Sequence, residues 1–176
     1  GMETIEVLTH LSMLKPPPGR FEQVAAPEGV TAVVDYAHTP DALDNVLKTI
    51  DTFRTGNTQV ITVVGCGGNR DRTKRPIMAK VAVKWSDRVF LTSDNPRNEN
   101  PDEIIEDMRR GLDPIEARKC IAIANRREAI RMAAQLTQNG DIVIVAGKGH
   151  ETYQEIQGVR HDFDDRLELI NAFKLV

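Results

Sequence analysis

Apolar and polar positions alternate along the chain in units of about 30 residues, the length of one strand–helix repeat. Val30–Val34 predicts a strand that ends in Asp35-Tyr36-Ala37-His38. Thr39 is placed to cap a helix with Pro40 in its first position, and Leu43, Val46, Leu47 and Ile50 make its apolar stripe. Val60–Val64 predicts a second strand, ending in Gly65-Cys66-Gly67-Gly68-Asn69-Arg70-Asp71, and the next helix sets Ile77, Met78, Val81, Ala82 and Trp85 on one face. Val89–Leu91 leads into Ser93-Asp94-Asn95-Pro96-Arg97; Asn100 and Pro101 then start a helix with Ile104, Ile105, Met108 and Leu112 inward. Cys120–Ile123 is a short strand. Asn125 and Glu128 stand at capping-box spacing before a helix through Ile130, Ala133 and Leu136. Ile142–Val145 predicts another strand, ending in Gly147-Lys148-Gly149-His150-Glu151. Tyr153–Ile156 and Val159–Phe163 flank Gly158 as a hairpin, and Asp164 caps a last helix with Leu167, Ile170 and Phe173 inward.

Continuous apolar strands alternating with amphipathic helices predict an α/β fold. The expected form is a Rossmann-like, mostly parallel sheet with helices on both faces and a C-terminal β-hairpin. Right-handed crossovers bring the C-terminal ends of parallel strands to one edge, where open α/β sheets bind ligands. Four strand ends carry dense polar clusters there, DYAH, GCGGNRD, SDNPR and GKGHE, while the opposite ends carry little beyond turn residues. That asymmetry favours a binding site over ordinary loops. Ahead of these units, residues 3–14 are weakly helical and Lys15-Pro16-Pro17-Pro18-Gly19 forms a stiff spacer. Residues 1–18 are therefore expected to be an expression scar (Gly1 before Met2) and an interdomain linker, and 19–176 one domain.

The 176 residues suffice for a sizeable core. A formal net charge of -3 gives no electrostatic reason to expect nucleic acid or an anionic membrane as partner. No apolar run is long enough to span a bilayer and no signal-peptide pattern is present, so a cytoplasmic domain is expected; a monomer is expected as well. Cys66 and Cys120 do not form a disulfide framework, and no spacing links them to the four histidines as a metal site.

The clusters differ in chemistry. Pro96 shapes the turn that offers a carboxylate, an amide and a guanidinium together, although Asp94 and Arg97 could simply pair. Gly65, Gly67 and Gly68 allow close backbone approach to a ligand, yet their spacing makes a weak nucleotide motif; Arg70 beside them suits a carboxylate or phosphate. Gly147-Lys148-Gly149 is not the tail of a P-loop: the first glycine of that motif would fall at Ile142, and Gly149 replaces the required Ser or Thr. Glu151 could accept from an ammonium group, or be an exposed hairpin carboxylate. Asp35 suits ribose hydroxyls. His38 next to it has no nucleophile to serve and reads as a strand-end scaffold residue, and Cys66 reads as structural, so no catalytic residue is assigned within this chain.

Taken together and in order, PGRFEQV, VVDYAHTPDAL, VVGCGGNRDRTKRP, SDNPRNENP and AGKGHETYQ resemble the C-terminal domain of the Mur ligases of peptidoglycan synthesis, in the diaminopimelate-adding branch. The resemblance implies ATP-dependent amide ligation. A substrate carboxylate on UDP-N-acetylmuramoyl-L-alanyl-D-glutamate becomes an acyl phosphate and is attacked by an amine. In the family the P-loop and Mg²⁺ ligands lie on a central domain and the UDP part on an N-terminal one. By resemblance, Arg70, Asn95, Arg97, Gly147 and Glu151 line the meso-diaminopimelate pocket. Arg20 and His38 reach ATP phosphates, and Asp35 the ribose. Thr73 departs from the Gly of many relatives. A stand-alone binding or regulatory module and a lysine-adding ligase remain the alternatives, the latter opposed by DNPR.

Overall fold

The computed structural model describes residues 18–174. The weak helical reading of residues 3–14 and nearly all of the expected linker lie outside the described residues. The elements are β1 (Glu22–Val24), β2 (Thr31–Asp35), α1 (Pro40–Phe53), β3 (Val60–Cys66), α2 (Lys74–Trp85), β4 (Arg88–Ser93), α3 (Pro101–Arg109), β5 (Cys120–Ala122), α4 (Arg126–Leu136), β6 (Ile142–Ala146), β7 (Tyr153–Ile156), β8 (Val159–Asp162) and α5 (Asp165–Lys174). A single 3-10 turn, Glu116–Lys119, precedes β5.

Six strands form one sheet in the order β1-β2-β6-β3-β4-β5. β1 is antiparallel to β2, and all the other pairings are parallel. The late strand β6 is inserted between β2 and β3, so it reverses the direction in which the sheet grows. Helices α1, α2 and α3 cover one face. Helices α4 and α5 cover the other. Every residue of β3 and of β6 is buried, which accounts for their largely apolar sequences; the one hydroxyl of β3, on Thr62, is satisfied by Ser86 at 2.7 Å.

Helix α1 is the plainest case of sequence dictating structure. Thr39 Oγ1 accepts from the Ala42 N–H at 3.3 Å, Pro40 opens the helix, and the predicted stripe Leu43, Val46, Leu47 and Ile50 is the buried face. Each of those side chains contributes about 1.5–3 kcal/mol by leaving water. Other faces differ from the pattern. Ile77, Leu136 and Leu167 are exposed, and Trp85 is only half-buried, its Nε1 donating to Asp44 Oδ1 at 2.8 Å. In α2 the expected Met78 and Ala82 are buried, and Arg75, Ala79 and Val83 join them inward. The helix is rotated because Arg75 turns inward to meet two acids, and that pairing outweighs an apolar contact by Ile77. In α4 and α5 the small residues Ala129, Ala133, Ala134 and Ala172 allow close packing, which leaves the flanking leucines outside. No described helix is long and apolar enough to cross a membrane.

Candidate functional site

The four polar clusters sit on β2, β6, β3 and β4, consecutive neighbours in the sheet, and at the same edge. A cleft of about 460 Å³ opens there and is lined by all five residues expected to hold diaminopimelate: Arg70, Asn95, Arg97, Gly147 and Glu151. His38 also lines it, whereas Arg20 and Asp35 are not lining residues; they adjoin the lining residue Tyr36, Arg20 over its ring and Asp35 before it in the chain.

The turn after β4 is built around Asn95. Its Oδ1 accepts from the Glu155 N–H at 2.9 Å and from Lys148 Nζ at 3.1 Å. Two donors on one atom identify it as the amide oxygen, so Nδ2 is the side turned to Glu151, to which it donates at 2.9 Å. Arg97 is held in the left-handed region at φ 50°, and its Nη1 donates to the Gly68 carbonyl at 2.9 Å. Its Nε lies 3.6 Å from Glu155. The turn is thus tied both to the β3 loop and to the β7–β8 hairpin.

The β3 loop is fixed from below. Arg75, fully buried at the start of α2, forks onto Glu99 with two contacts of 2.9 Å and also reaches Asp107 at 2.9 Å. Glu99 in turn accepts from the Asn69 N–H. A side chain on Gly68 would collide with the Pro96 carbonyl, so the third glycine of the loop exists to let the two turns touch. Thr73, the departure from the family pattern, has both its N–H and its hydroxyl on Asp71 Oδ1, at 2.9 and 2.7 Å. Arg70 is exposed at the rim and makes no hydrogen bond or ion pair to the described residues.

Gly147 has φ 123°, and a Cβ there would stand 2.7 Å from Asp94 Oδ2. Only glycine can occupy the point where β6 meets the β4 turn. The following Lys148 does not reach outward as a phosphate-binding lysine would. Its side chain is 0% exposed, with Nζ 3.3 Å from Glu151 Oε2 and 4.0 Å from Asp94 Oδ1. The rejection of a P-loop agrees with this geometry, but sequence reasoning assigned Lys148 no role. The available signal was an ionisable residue between two glycines at a buried strand end, three positions before a glutamate.

Asp35 is committed to its own loop: Oδ1 accepts from the Ala37 N–H and Oδ2 from the Phe21 N–H, both at 2.7 Å. His38 Nδ1 donates to the Tyr36 carbonyl at 2.9 Å, leaving Nε2 to face outward. Lys74 Nζ donates to the His38 carbonyl at 2.7 Å and joins the β2 and β3 loops, a link sequence reasoning missed. Arg20 lies over the Tyr36 ring at 5.7 Å. Burial pushes the Cys66 thiol up to about 12, consistent with a structural rather than nucleophilic cysteine. Among the described residues no group of His, Cys, Asp and Glu could hold a metal ion.

Comparison with known proteins places this geometry. Residues 19–149 match the family described as Mur ligase, glutamate ligase domain. The UDP-N-acetylmuramoyl-L-alanyl-D-glutamate--2,6-diaminopimelate ligase of Bacteroides thetaiotaomicron is 58% identical over 173 residues, which cover 98% of this chain and 36% of that protein. The ligase of the same name from Geobacillus thermodenitrificans is 48% identical over 174 residues, 99% of this chain and 35% of that one. A solved structure of a ligase of that name superposes with a TM-score of 0.83 at 46% identity, covering 99% of this chain and 35% of the other. The chain therefore spans about a third of the length of the curated relatives it matches. With a family match running through every strand of the sheet and relatives of this similarity, the chain belongs to the Mur ligase family, in its glutamate ligase domain.

Proposed function

We propose that the cleft binds meso-diaminopimelate, the amine substrate of an ATP-dependent amide ligase of peptidoglycan synthesis, and that this chain works as the C-terminal domain of that enzyme. The observation that carries this reading is the meeting of both signs of charge in one cleft: Arg70 and Arg97 on one side, Asp94 and Glu151 on the other. A ligand that is zwitterionic at each end needs that combination. Arg97 and the Asn95 amide would take the distal carboxylate, Glu151 and the Gly147 backbone the distal ammonium, and Arg70 the other end of the amino acid.

On this reading the chemistry is completed outside the chain. ATP phosphorylates the glutamate carboxylate of UDP-N-acetylmuramoyl-L-alanyl-D-glutamate. The amine at the other end of the held amino acid, in its neutral form, attacks the carbonyl carbon of the acyl phosphate; the C–N bond forms, the C–O bond to phosphate breaks, inorganic phosphate leaves and the nitrogen gives up a proton. Arg20 and His38 would meet ATP phosphates and Asp35 the ribose when the domain closes. Asp35 would do so while its loop contacts hold it in place. Mg²⁺ would be held mainly by a central domain, joined through residues 1–18 as linker. The names of the relatives and the paired charges of the cleft support this assignment.

The test is ligation by the full-length enzyme carrying this sequence, with diaminopimelate and lysine as competing amines. Selective use of diaminopimelate is expected. Equal use of lysine, or no use of diaminopimelate, overturns the assignment.

A further inference from the structure

Lys148 is among the largest fully buried side chains of the molecule, and the chemistry proposed above does not use it. Its surroundings are polar: Asn95 Oδ1 at 3.1 Å, Glu151 Oε2 at 3.3 Å, Asp94 Oδ1 at 4.0 Å and the Tyr153 ring centroid at 5.5 Å. Glu151 is 22% exposed and Asp94 10% exposed, so both acids face the cleft while the ammonium lies behind them. An ammonium withdrawn from water is tolerated only when paired and hydrogen-bonded. The positive φ of Gly147 and of Gly149, 123° and 54°, folds the backbone so that the side chain between them turns under the strand ends.

Counting charge gives the consequence. Within 4.0 Å of Lys148 Nζ stand two carboxylates; its own charge offsets one of them and a ligand ammonium can offset the other. Counting lone pairs gives the same answer. Oε2 of Glu151 is taken by Lys148 and by Asn95 Nδ2, so Oε1 is the oxygen left for a ligand.

We propose that Lys148 is a positioning residue that acts through Glu151, holding and half-neutralising the carboxylate so that one oxygen is presented to the ligand's ammonium group. The inference rests on the reading of the cleft as an amine-substrate site. It adds that the protein carries its own ammonium beside the one it binds.

The test is a double-mutant cycle on the full-length enzyme, read as KM for diaminopimelate and for lysine at saturating ATP and nucleotide precursor. Lys148→Met should raise both KM values about tenfold, since both amines carry the distal ammonium, and leave kcat and the KM for ATP within about threefold. Glu151→Gln should also raise both. With lysine as the amine, which has no distal carboxylate for Asn95 to hold, the double variant should show a KM no higher than Glu151→Gln alone, because the remaining contact of Lys148 with Asn95 then carries no ligand contact. Effects that multiply in the double variant with lysine, or an unchanged KM for Lys148→Met, overturn the inference. Should Lys148→Met fail to fold, the double variant, which removes both charges together, decides the matter against Glu151→Gln by the same comparison. An unchanged KM for Glu151→Gln sinks the reading of the cleft itself, and with it the role of Lys148.

Discussion

Arg97 and Ile156 form a parallel β-bridge: the Arg97 N–H donates to the Glu155 carbonyl at 3.0 Å, and the Arg97 carbonyl accepts from the Gln157 N–H at 2.7 Å. The residue proposed to read a ligand carboxylate is therefore held at its backbone by the hairpin and at its guanidinium by the β3 loop. A side chain anchored at both ends loses little freedom on binding, which is what a selective contact requires.

Arg97→Ala in the full-length enzyme should reduce kcat/KM for diaminopimelate by about a hundredfold or more, with a much smaller loss for lysine. An unpaired, partly desolvated group costs about 3–5 kcal/mol. Arg97→Lys should not restore it, because a point charge cannot reproduce the fork. Kinetics with both amines and both variants check this. Equal losses on the two amines would mean that Arg97 only braces the turn.

The 176-residue chain alone should neither hydrolyse ATP nor bind it tighter than the millimolar range. Arg20, Asp35 and His38 make part of a nucleotide site at most, and association must first offset about 4 kcal/mol or more of lost translational and rotational freedom. Calorimetry and a phosphate-release assay on the purified chain are sufficient; micromolar binding or turnover above blank contradicts the composite-site reading.

Arg126 and Asp165 are both 0% exposed and joined by contacts of 2.8 and 2.7 Å, and Arg126 also donates to the Ala146 carbonyl at 3.0 Å. Arg126→Met strands a buried carboxylate and should cost about 3–5 kcal/mol, lowering Tm by about 10 °C. Arg126→Met combined with Asp165→Leu should recover more than half of that loss in the same melting experiment. A double variant no better than the single would show that the bond to Ala146, rather than the ion pair, matters most.

Asp164 accepts from the Arg166 side chain at 3.0 and 2.6 Å and from its N–H at 2.9 Å, and these contacts hold its carboxyl below the ordinary 3.8. A depressed folded value means the stabilisation is complete above pH 3.8 and disappears as pH falls through the folded value. Asp164→Asn keeps a helix cap but removes the charge. Its Tm should lie about 2 °C below that of the parent at pH 7, since the pair is partly exposed, and the gap should narrow as pH falls below 3.8. A gap independent of pH would assign the effect to capping instead.

How much of this was legible beforehand depended on the range of the interaction. The α1 stripe, the Asn100 and Asn125 caps and the polar strand ends are set by neighbours in sequence, and they stand where the pattern put them. The insertion of β6 between β2 and β3 is a choice between pairings of equally apolar strands, which periodicity cannot decide. The inward turn of Arg75 needs Glu99 and Asp107 brought from elsewhere, and for that reason the pattern puts Ile77 on the wrong side. The role of Lys148 is hidden in the sequence because two of its partners, Asn95 and Asp94, come from the distant β4 turn. Asp35 reads as a strand-end acid, but the Phe21 amide that occupies one of its oxygens comes from the bend just before β1.

The position of β6 also bears on how the molecule comes into being. During synthesis β2 and β3 leave the ribosome long before the strand that separates them, and until residue 146 has emerged neither has its final neighbour on that side. A nascent chain ending at α4 lacks the middle of its sheet, so the missing piece is a keystone and not a border. Chaperone engagement and proteolytic sensitivity should persist through most of translation and end abruptly once β6 slides in, the same event that brings Gly147 and Glu151 to the other loops of the cleft.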